Sequence, residues 1–330
     1  MKRVAIVCPG RGSYAEGSLG SLPPEHDHVR AAEALRARRE LPALVELDRS
    51  TRFDPSRHLR PANVAALIYV VSMLDCARAS AEGRAVCAAG NSMGWYTALA
   101  ASGALTFEEG FELVQEMALL QEEAAAGGQV IYPVVDSDWR PAADRAEAIG
   151  ALLDELPGDL YPSIHLGGYE VLAGTARGVA RALECLPRVR HGKADYPLRL
   201  ARHGPYHTPL AASVSESAGR LLAGLDFRPP RITLIDGRGV RFTPWSTDPA
   251  ELRDYTLGAQ VTTPFDFTAS IRVVLREYAP ELLVLPGPGN TLGGVCGQIA
   301  AREGWRGIRS KADFDALQGG AEPLVLSMGR

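Results

Sequence analysis

The sequence predicts an α/β fold built on a parallel β-sheet, with a smaller α/β unit inserted into it. Two observations support this prediction. Short apolar runs of strand length, at residues 4–8 and 282–285, alternate with longer segments of helical periodicity. Residues 128–203 also follow a βαββαβ order. We therefore expect a large domain formed by residues 1–127 and 204–330, interrupted by a subdomain formed by residues 128–203.

Each element predicted for the large domain follows from its local pattern. Residues 4–8 form an apolar run that ends at Pro-Gly, which is typical of a strand buried on both faces. Apolar residues recur at helical spacing over 61–79, and a second apolar run follows. The remaining elements are expected to be a strand at 84–89, helices at 93–101 and 106–125, and strands at 232–235 and 282–285. A capping box between Thr106 and Glu109 opens the second of these helices.

The inserted unit begins where the composition changes, at Gly127-Gly128, and ends at the turn 202–205. Between these limits strand-like runs alternate with two helical segments, expected near 142–156 and 176–186. The resulting order of elements is typical of a ferredoxin-like subdomain.

The composition is that of an ordinary globular protein, and a location in the cytoplasm is expected. Hydrophobic residues make up 46% of the 330 residues, charged residues 22%, and the net charge is −4, so nothing favours nucleic acid as a partner. The first apolar run is too short for a signal peptide, and no other segment is expected to reach membrane length. The five cysteines show no paired spacing, which predicts buried thiols and no metal site.

The strongest chemical signal is the GxSxG pattern Gly90-Asn91-Ser92-Met93-Gly94, which lies between a predicted strand and a predicted helix. A serine on such a turn is exposed at the carboxyl edge of the sheet, where the N-terminus of the helix stabilises developing negative charge. The alternative is that small residues merely pack a strand–helix junction. The strand-to-helix context favours a nucleophilic Ser92.

A serine nucleophile needs a base, and His207 is the preferred candidate among seven histidines. It follows a Gly-Pro turn with one residue between and precedes Thr208-Pro209. His203 lies close to it in the sequence and is the rival candidate. No aspartate or glutamate is identifiable as the third member of a hydrolase triad.

Five segments together resemble malonyl-CoA:ACP transacylases. They occur in the order of that family and span nearly the whole chain: PGRGS (9–13), GNSMGWYTALAASGALTFEEGFELV (90–114), PYHTPL (205–210), QVTTPFDF (260–267) and GPGNTL (287–292). The resemblance implies an α/β-hydrolase-like core beside a ferredoxin-like subdomain. It also implies an acyltransferase of fatty-acid or polyketide biosynthesis, acting in the cytoplasm.

The resemblance further implies a role for each matched residue. Ser92 would attack the thioester of an acyl-CoA or acyl-ACP, while His207 accepts its proton and later protonates the leaving thiol. The backbone N–H groups of Met93 and Arg11 would hold the oxyanion, and the backbone carbonyl near Gln260 would orient the histidine. No bound cofactor or metal is implied. The substrates would be acyl-CoA and the 4′-phosphopantetheine of an acyl-carrier protein, free or within a synthase.

The chain departs from the family at positions that line its acyl pocket. Met117 replaces the arginine that pairs with the malonyl carboxylate, and a carboxylate buried against methionine would be unpaired. Asn91, Trp95, Arg11 and Arg60 also replace the usual residues. We therefore expect an enzyme that is not selective for malonyl. The residues expected to contact substrate are Met117, Asn91, Trp95, Arg60, Gly10 and Gly12.

Several alternatives remain open at this point. The pocket accepts either an acyl group without a free carboxylate, such as acetyl or a longer chain, or a dicarboxylic acyl group held by Arg11 or Arg60. An acyl-ACP hydrolase would use the same catalytic pair, with water resolving the acyl-enzyme. A non-catalytic relative that binds a carrier protein is a third hypothesis, but it would need neither Ser92 nor His207. An acidic carrier protein would suit the basic stretch of Arg188, Arg190, His191 and Lys193.

Overall fold

The computed structural model describes residues 1–124 and 126–329. Its strands are β1 (Arg3–Cys8), β2 (Arg84–Gly90), β3 (Gly128–Pro133), β4 (Leu160–Leu166), β5 (Tyr169–Gly174), β6 (Val189–His191), β7 (Ala194–Tyr196), β8 (Leu198–Arg199), β9 (Thr233–Ile235), β10 (Arg241–Phe242), β11 (Phe265–Asp266), β12 (Leu282–Leu285) and β13 (Val325–Ser327).

The α-helices are α1 (Asp27–Ala37), α2 (Leu44–Asp48), α3 (Pro55–His58), α4 (Pro61–Ala79), α5 (Gly94–Ala101), α6 (Phe107–Glu123), α7 (Ala143–Glu155), α8 (Ala176–Cys185), α9 (Ala212–Leu221), α10 (Pro249–Asp254), α11 (Gln260–Thr262), α12 (Phe267–Val273), α13 (Gly293–Arg302) and α14 (Lys311–Gln318). One π-helical segment, Tyr255–Ala259, joins α10 to α11, and another, Val274–Tyr278, extends α12.

The large sheet has the strand order β10-β9-β2-β1-β12-β13. Every neighbouring pair is parallel except β10 and β9. Ala5, Val7 and Cys8 of β1 are fully enclosed, as expected for a strand covered on both faces. All four strands predicted for the large domain belong to this sheet, so the predicted parallel α/β core is confirmed. β1 and β2 are neighbours, so the loops at their carboxyl ends lie side by side.

The small subdomain has a sheet of its own, with the order β11-β4-β5-β3-β8. Its elements within residues 128–203 follow the predicted βαββαβ order, with the β6–β7 hairpin added before the last strand. One face of the sheet packs on α7 and α8 through Val130, Leu172 and Val179, among others. The ferredoxin-like subdomain is confirmed. Its boundaries at 128 and 203 remain a proposal, because β11 comes from the second core segment and pairs with β4.

Helix α4 corrects one expectation from the sequence. It is long and apolar enough to cross a membrane by length and composition, whereas no segment was expected to be. In the protein, however, 78% of its 18-residue apolar window is buried. Such burial is that of a core helix, and Tyr69 of α4 donates a hydrogen bond to the Phe107 carbonyl at the start of α6.

The structure differs from two further expectations, the end of helix α6 and the burial of the cysteines. Helix α6 ends at Glu123, and the predicted end at Ala125 lies outside the described residues. Cys8, Cys87 and Cys296 are buried thiols as predicted, but Cys185 at the end of α8 is exposed, so the prediction of burial was wrong there.

The capping box of α6 is expected to stabilise the fold measurably. Glu109 donates its backbone N–H to the Thr106 hydroxyl at 3.2 Å, and the Glu109 carboxylate accepts from the Thr106 N–H at 2.8 Å. Thr106→Ala removes the cap and should lower the free energy of unfolding by about 1 kcal/mol in urea titration. Thr51→Ala, at an exposed threonine, should change it by less than about 0.5 kcal/mol. Equal effects of the two changes would contradict the capping role.

Candidate active site

Ser92 lies on a strained turn between β2 and α5. Its φ angle is +54°, a left-handed conformation that is costly for a residue with a side chain. The flanking glycines are required by close packing. A Cβ on Gly90 would lie 2.1 Å from the Gly94 backbone, and a Cβ on Gly94 would lie 2.2 Å from the Cys8 carbonyl. The turn therefore holds the serine at the carboxyl edge of the sheet, as the GxSxG pattern predicts.

His207 lies within hydrogen-bonding distance of this serine. The Ser92 Oγ is 2.7 Å from His207 Nε2, and His207 Nδ1 is 2.6 Å from the backbone carbonyl oxygen of Gln260. A carbonyl only accepts, so Nδ1 carries the proton and Nε2 accepts from the serine hydroxyl. This tautomer is the one a general base needs.

While the backbone carbonyl of Gln260 bonds His207, its side chain bonds Ser92 and Tyr96. Its Nε2 donates to the Ser92 carbonyl at 3.1 Å, and its Oε1 accepts from the Tyr96 hydroxyl at 2.8 Å. Both ends of the catalytic pair are therefore tied to one residue. No carboxylate takes part in these bonds.

Burial makes His207 a neutral group. It lowers the pKa of the imidazole to about 4, with the charge of Arg11 acting in the same direction and the bond to the Gln260 backbone opposing it. The side chain is only 2% exposed. His207 is therefore unprotonated at neutral pH, ready to take the serine proton.

The rival histidine has a different partner. His203 Nδ1 is 2.8 Å from Gln129 Oε1, and Gln129 in turn donates to the Ser163 hydroxyl. Burial holds the pKa of His203 well below its ordinary value. The structure thus brings His207, and not His203, to the serine.

A cavity of about 480 Å³ opens beside Ser92. Its walls come from the loop after β1, the nucleophile turn, α4 and α6, the start of α13, and the core-facing side of the small sheet. Of the residues expected to contact substrate or hold the oxyanion, these line it: Gly10, Arg11, Gly12, Asn91, Met93 and Met117. Gln260 lines it as well.

Two residues predicted to bind substrate lie elsewhere, so those predictions are corrected. Trp95 is fully buried in the core, where its indole N–H donates to the Thr256 hydroxyl at 3.0 Å and its ring meets that of Tyr255 edge-on. Arg60 pairs with Glu122 at 2.8 Å at the protein surface and does not reach the cavity. Helical rotation turns Trp95 away from the nucleophile, although it is only three residues distant.

Like the exposed Arg202, Arg11 lines the cavity. Its guanidinium lies over the Tyr206 ring at 5.7 Å. Burial lowers the pKa of Arg11 from its ordinary value, and the interactions with Tyr206, Tyr96 and Glu122 oppose this shift.

Several cavity residues were missed by reasoning from the sequence. Tyr206 precedes His207 directly, and Tyr96 anchors Gln260. Gln121 lies one helical turn after Met117, and this i, i+4 spacing on α6 was a usable signal. Gln129 and the aliphatic residues of the small sheet carried no signal, because nothing in the sequence shows which face of that sheet meets the core.

The basic stretch forms the exposed β6–β7 hairpin. Arg190 is paired with Asp195 at 3.0 Å, which reduces the free positive charge. His191 packs edge-on against Tyr169, a cavity residue, so the hairpin is next to the cavity. Within the described ranges no group of three or more metal-binding side chains occurs.

Comparison with known proteins gives one consistent picture. No family model matches the sequence. The malonyl CoA-acyl carrier protein transacylase of Haemophilus influenzae is 25% identical over 326 residues, covering 96% of this chain and 99% of that protein. The polyketide biosynthesis protein ThaF of Burkholderia thailandensis is 28% identical over 291 residues, covering 87% of this chain but 23% of that larger protein.

Solved structures share the fold. The Synechocystis malonyl-CoA:ACP transacylase superposes with a TM-score of 0.76 at 18% identity, over 100% of this chain and 98% of the other. A type II polyketide acyl-carrier protein in complex with its malonyl-transacylase, PlMCAT:AntF, gives 0.73 at 22% identity, over 90% and 93%.

The turn geometry predicts a strict requirement for Gly94. Gly94→Ala places a Cβ 2.2 Å from the Cys8 carbonyl, so strand β1 or the turn must move. We expect a loss of about 3 kcal/mol in the free energy of unfolding. Gly219→Ala is the matched control, because nothing lies within 4 Å of the added Cβ on α9. Urea titration of both variants checks this, and an unchanged Gly94→Ala protein would refute the packing argument.

The pKa of His207 predicts how reactivity at Ser92 depends on pH. Because the pKa is about 4, the neutral base persists from pH 7 to about pH 5, and reactivity falls only as the pH drops through about 4. Arg11→Gln removes a charge that opposes protonation, so the inflection should move up, whereas Arg60→Gln should not move it. The rate of Ser92 modification by a fluorophosphonate, measured with circular dichroism as a check on folding, tests this. An inflection near pH 6.5 in the protein without substitutions would contradict the lowered pKa of His207.

Proposed function

We propose that this chain is an acyltransferase of the malonyl-CoA:ACP transacylase family, which its similarity in sequence and fold to such enzymes strongly supports. It would move an acyl group between coenzyme A and the phosphopantetheine thiol of an acyl-carrier protein, in fatty-acid or polyketide biosynthesis in the cytoplasm. The observation that carries the proposal is the 2.7 Å contact between Ser92 Oγ and His207 Nε2 at the edge of a cavity.

The proposed reaction has two halves. His207 Nε2 takes the hydroxyl proton as Ser92 Oγ attacks the thioester carbonyl. The tetrahedral intermediate collapses, the C–S bond breaks, and the imidazolium returns its proton to the departing thiolate. The ester on Ser92 is then attacked by the carrier thiol, whose proton passes to His207 and from there back to the serine oxygen.

The oxyanion would be held by backbone groups at the two adjacent strand ends. Met93 precedes the first residue of α5, and the first N–H groups of a helix have no partner within it. Arg11 lies on the neighbouring loop after β1, and both residues line the cavity. Because the donor at residue 11 is the backbone N–H, the change of side chain at this position leaves the donor in place.

The acyl specificity would not be for malonyl. Met117 is only 1% exposed and lines the cavity together with Leu59 and Val64. A carboxylate against this wall would lose water without gaining a partner. The wall suits an uncharged acyl group, such as acetyl or a longer chain.

Arg11 supports a second candidate specificity. Its side chain lines the same cavity, as does that of the exposed Arg202, while Arg60 is engaged with Glu122 at the surface. A dicarboxylic acyl group whose free carboxylate lies beside Arg11 would gain a charged partner. The cation at Arg11 therefore favours binding of a malonyl group, whereas the apolar wall at Met117 disfavours it.

Intact-mass spectrometry with a panel of acyl-CoA thioesters tests the proposed function. We expect an acetyl or longer acyl adduct on the protein, no malonyl adduct, and no adduct on Ser92→Ala. Met117→Arg should gain malonyl loading by roughly tenfold, the effect of about 1.4 kcal/mol of pairing energy.

The other outcomes are equally informative. Malonyl loading that disappears in Arg11→Gln would establish the second specificity, with Arg60→Gln as the matched control. Decay of the adduct in buffer without carrier protein would indicate a hydrolase. If no thioester modified the protein, the acyltransferase proposal would be overturned in favour of a carrier-binding protein.

A further inference from the structure

A continuous row of aliphatic side chains crosses the small sheet and faces the cavity. The strand register places Ile164 opposite Val171, Val171 opposite Ile131, and Ile131 opposite Leu198. Residues directly opposite one another share a face of a sheet. All four line the cavity. We call Ile164, Val171, Ile131 and Leu198 the aliphatic row.

The row begins near the catalytic pair and ends at the open edge of the sheet. Ile164 is also paired with Phe265 of β11, whose ring lies 5.4 Å from that of His207. At the other end, Leu198 lies on the edge strand and is 44% exposed. Four strands about 4.8 Å apart give the row a length of roughly 14 Å.

The surroundings extend this apolar surface. Leu166 and Tyr169 flank the row on the same sheet, and Leu292 and Val295 face the cavity from the start of α13. Gln129 and His203, two of the polar residues that line the cavity, already bond to each other. An alkyl chain fits the row, because it needs no hydrogen bonds. A pantetheine arm carries two amides that would be desolvated there without partners.

We propose that the aliphatic row binds the alkyl chain of the acyl group, so that the enzyme selects acyl thioesters of medium chain length. This inference rests on the proposed function and names its substrate class. Each methylene laid on the row should raise kcat/KM for acylation of Ser92 about fourfold, which corresponds to about 0.8 kcal/mol per buried methylene.

A chain-length series with substitution at the open end tests the inference. We would measure acylation by acetyl-, butyryl-, hexanoyl- and octanoyl-CoA in the unmodified protein and in Leu198→Gln, a change at a half-exposed position. Octanoyl-CoA should lose about fivefold or more in Leu198→Gln, while acetyl-CoA stays within twofold. Leu221→Gln, at a leucine of α9 that is 59% exposed and outside the cavity, is the matched control.

Each contrary result has a distinct meaning. Rates that do not rise with chain length would overturn the inference and leave the acyltransferase proposal standing. An equal loss for all chain lengths in Leu198→Gln would show that the row holds the pantetheine arm, which also overturns it. Calorimetric binding of acetyl- and octanoyl-CoA to Ser92→Ala keeps the test independent of catalysis. Equal affinities of acetyl-CoA and octanoyl-CoA for Ser92→Ala would overturn the proposal that the row binds the alkyl chain, whatever the acylation assay shows.

Discussion

The hydrogen bond from His207 to the backbone carbonyl of Gln260 is the contact on which the candidate site depends. It fixes the tautomer that leaves Nε2 free to accept from Ser92. Because the partner is a neutral carbonyl, burying the imidazole requires no buried charge beside it. The Gln260 side chain then bonds the Ser92 carbonyl, so one residue sets both ends of the pair. The short α11 that presents Gln260 is held by the Tyr96 hydroxyl.

The Ser92–His207 pair and most of the cavity wall lie on different elements. The catalytic pair is carried by the turn after β2 and by the segment before α9. The walls of the cavity come from α6, the loop after β1 and the small sheet. Met117, Arg11 and the aliphatic row can therefore vary in charge and size while the bonds around His207 stay intact.

Sequence reasoning located the serine turn well because the turn is a local feature. Gly90 and Gly94 are needed for contacts with backbone close by, and their spacing is visible in the sequence. The two wrong predictions concern the direction in which a side chain points in the folded protein. Trp95 was placed at the substrate because it replaces the usual residue of the family at a position after the serine turn, yet the helix turns it towards Thr256. Arg60 was a candidate cation, but Glu122 holds it at the surface. Neither outcome follows from spacing alone, because each depends on a partner distant in the chain.

By itself the sequence determined the alternation of strands and helices, the inserted subdomain and the serine turn, since these follow from periodicity and from backbone constraints among neighbours. It also supplied the motifs that pointed to acyl transfer. Only the tertiary structure decided which of two histidines meets Ser92, which of two arginines enters the cavity, and which face of the small sheet lines it. Those choices join residues far apart in the chain, 115 positions in the case of Ser92 and His207. Their physical basis is packing and strand register, which a linear pattern does not contain.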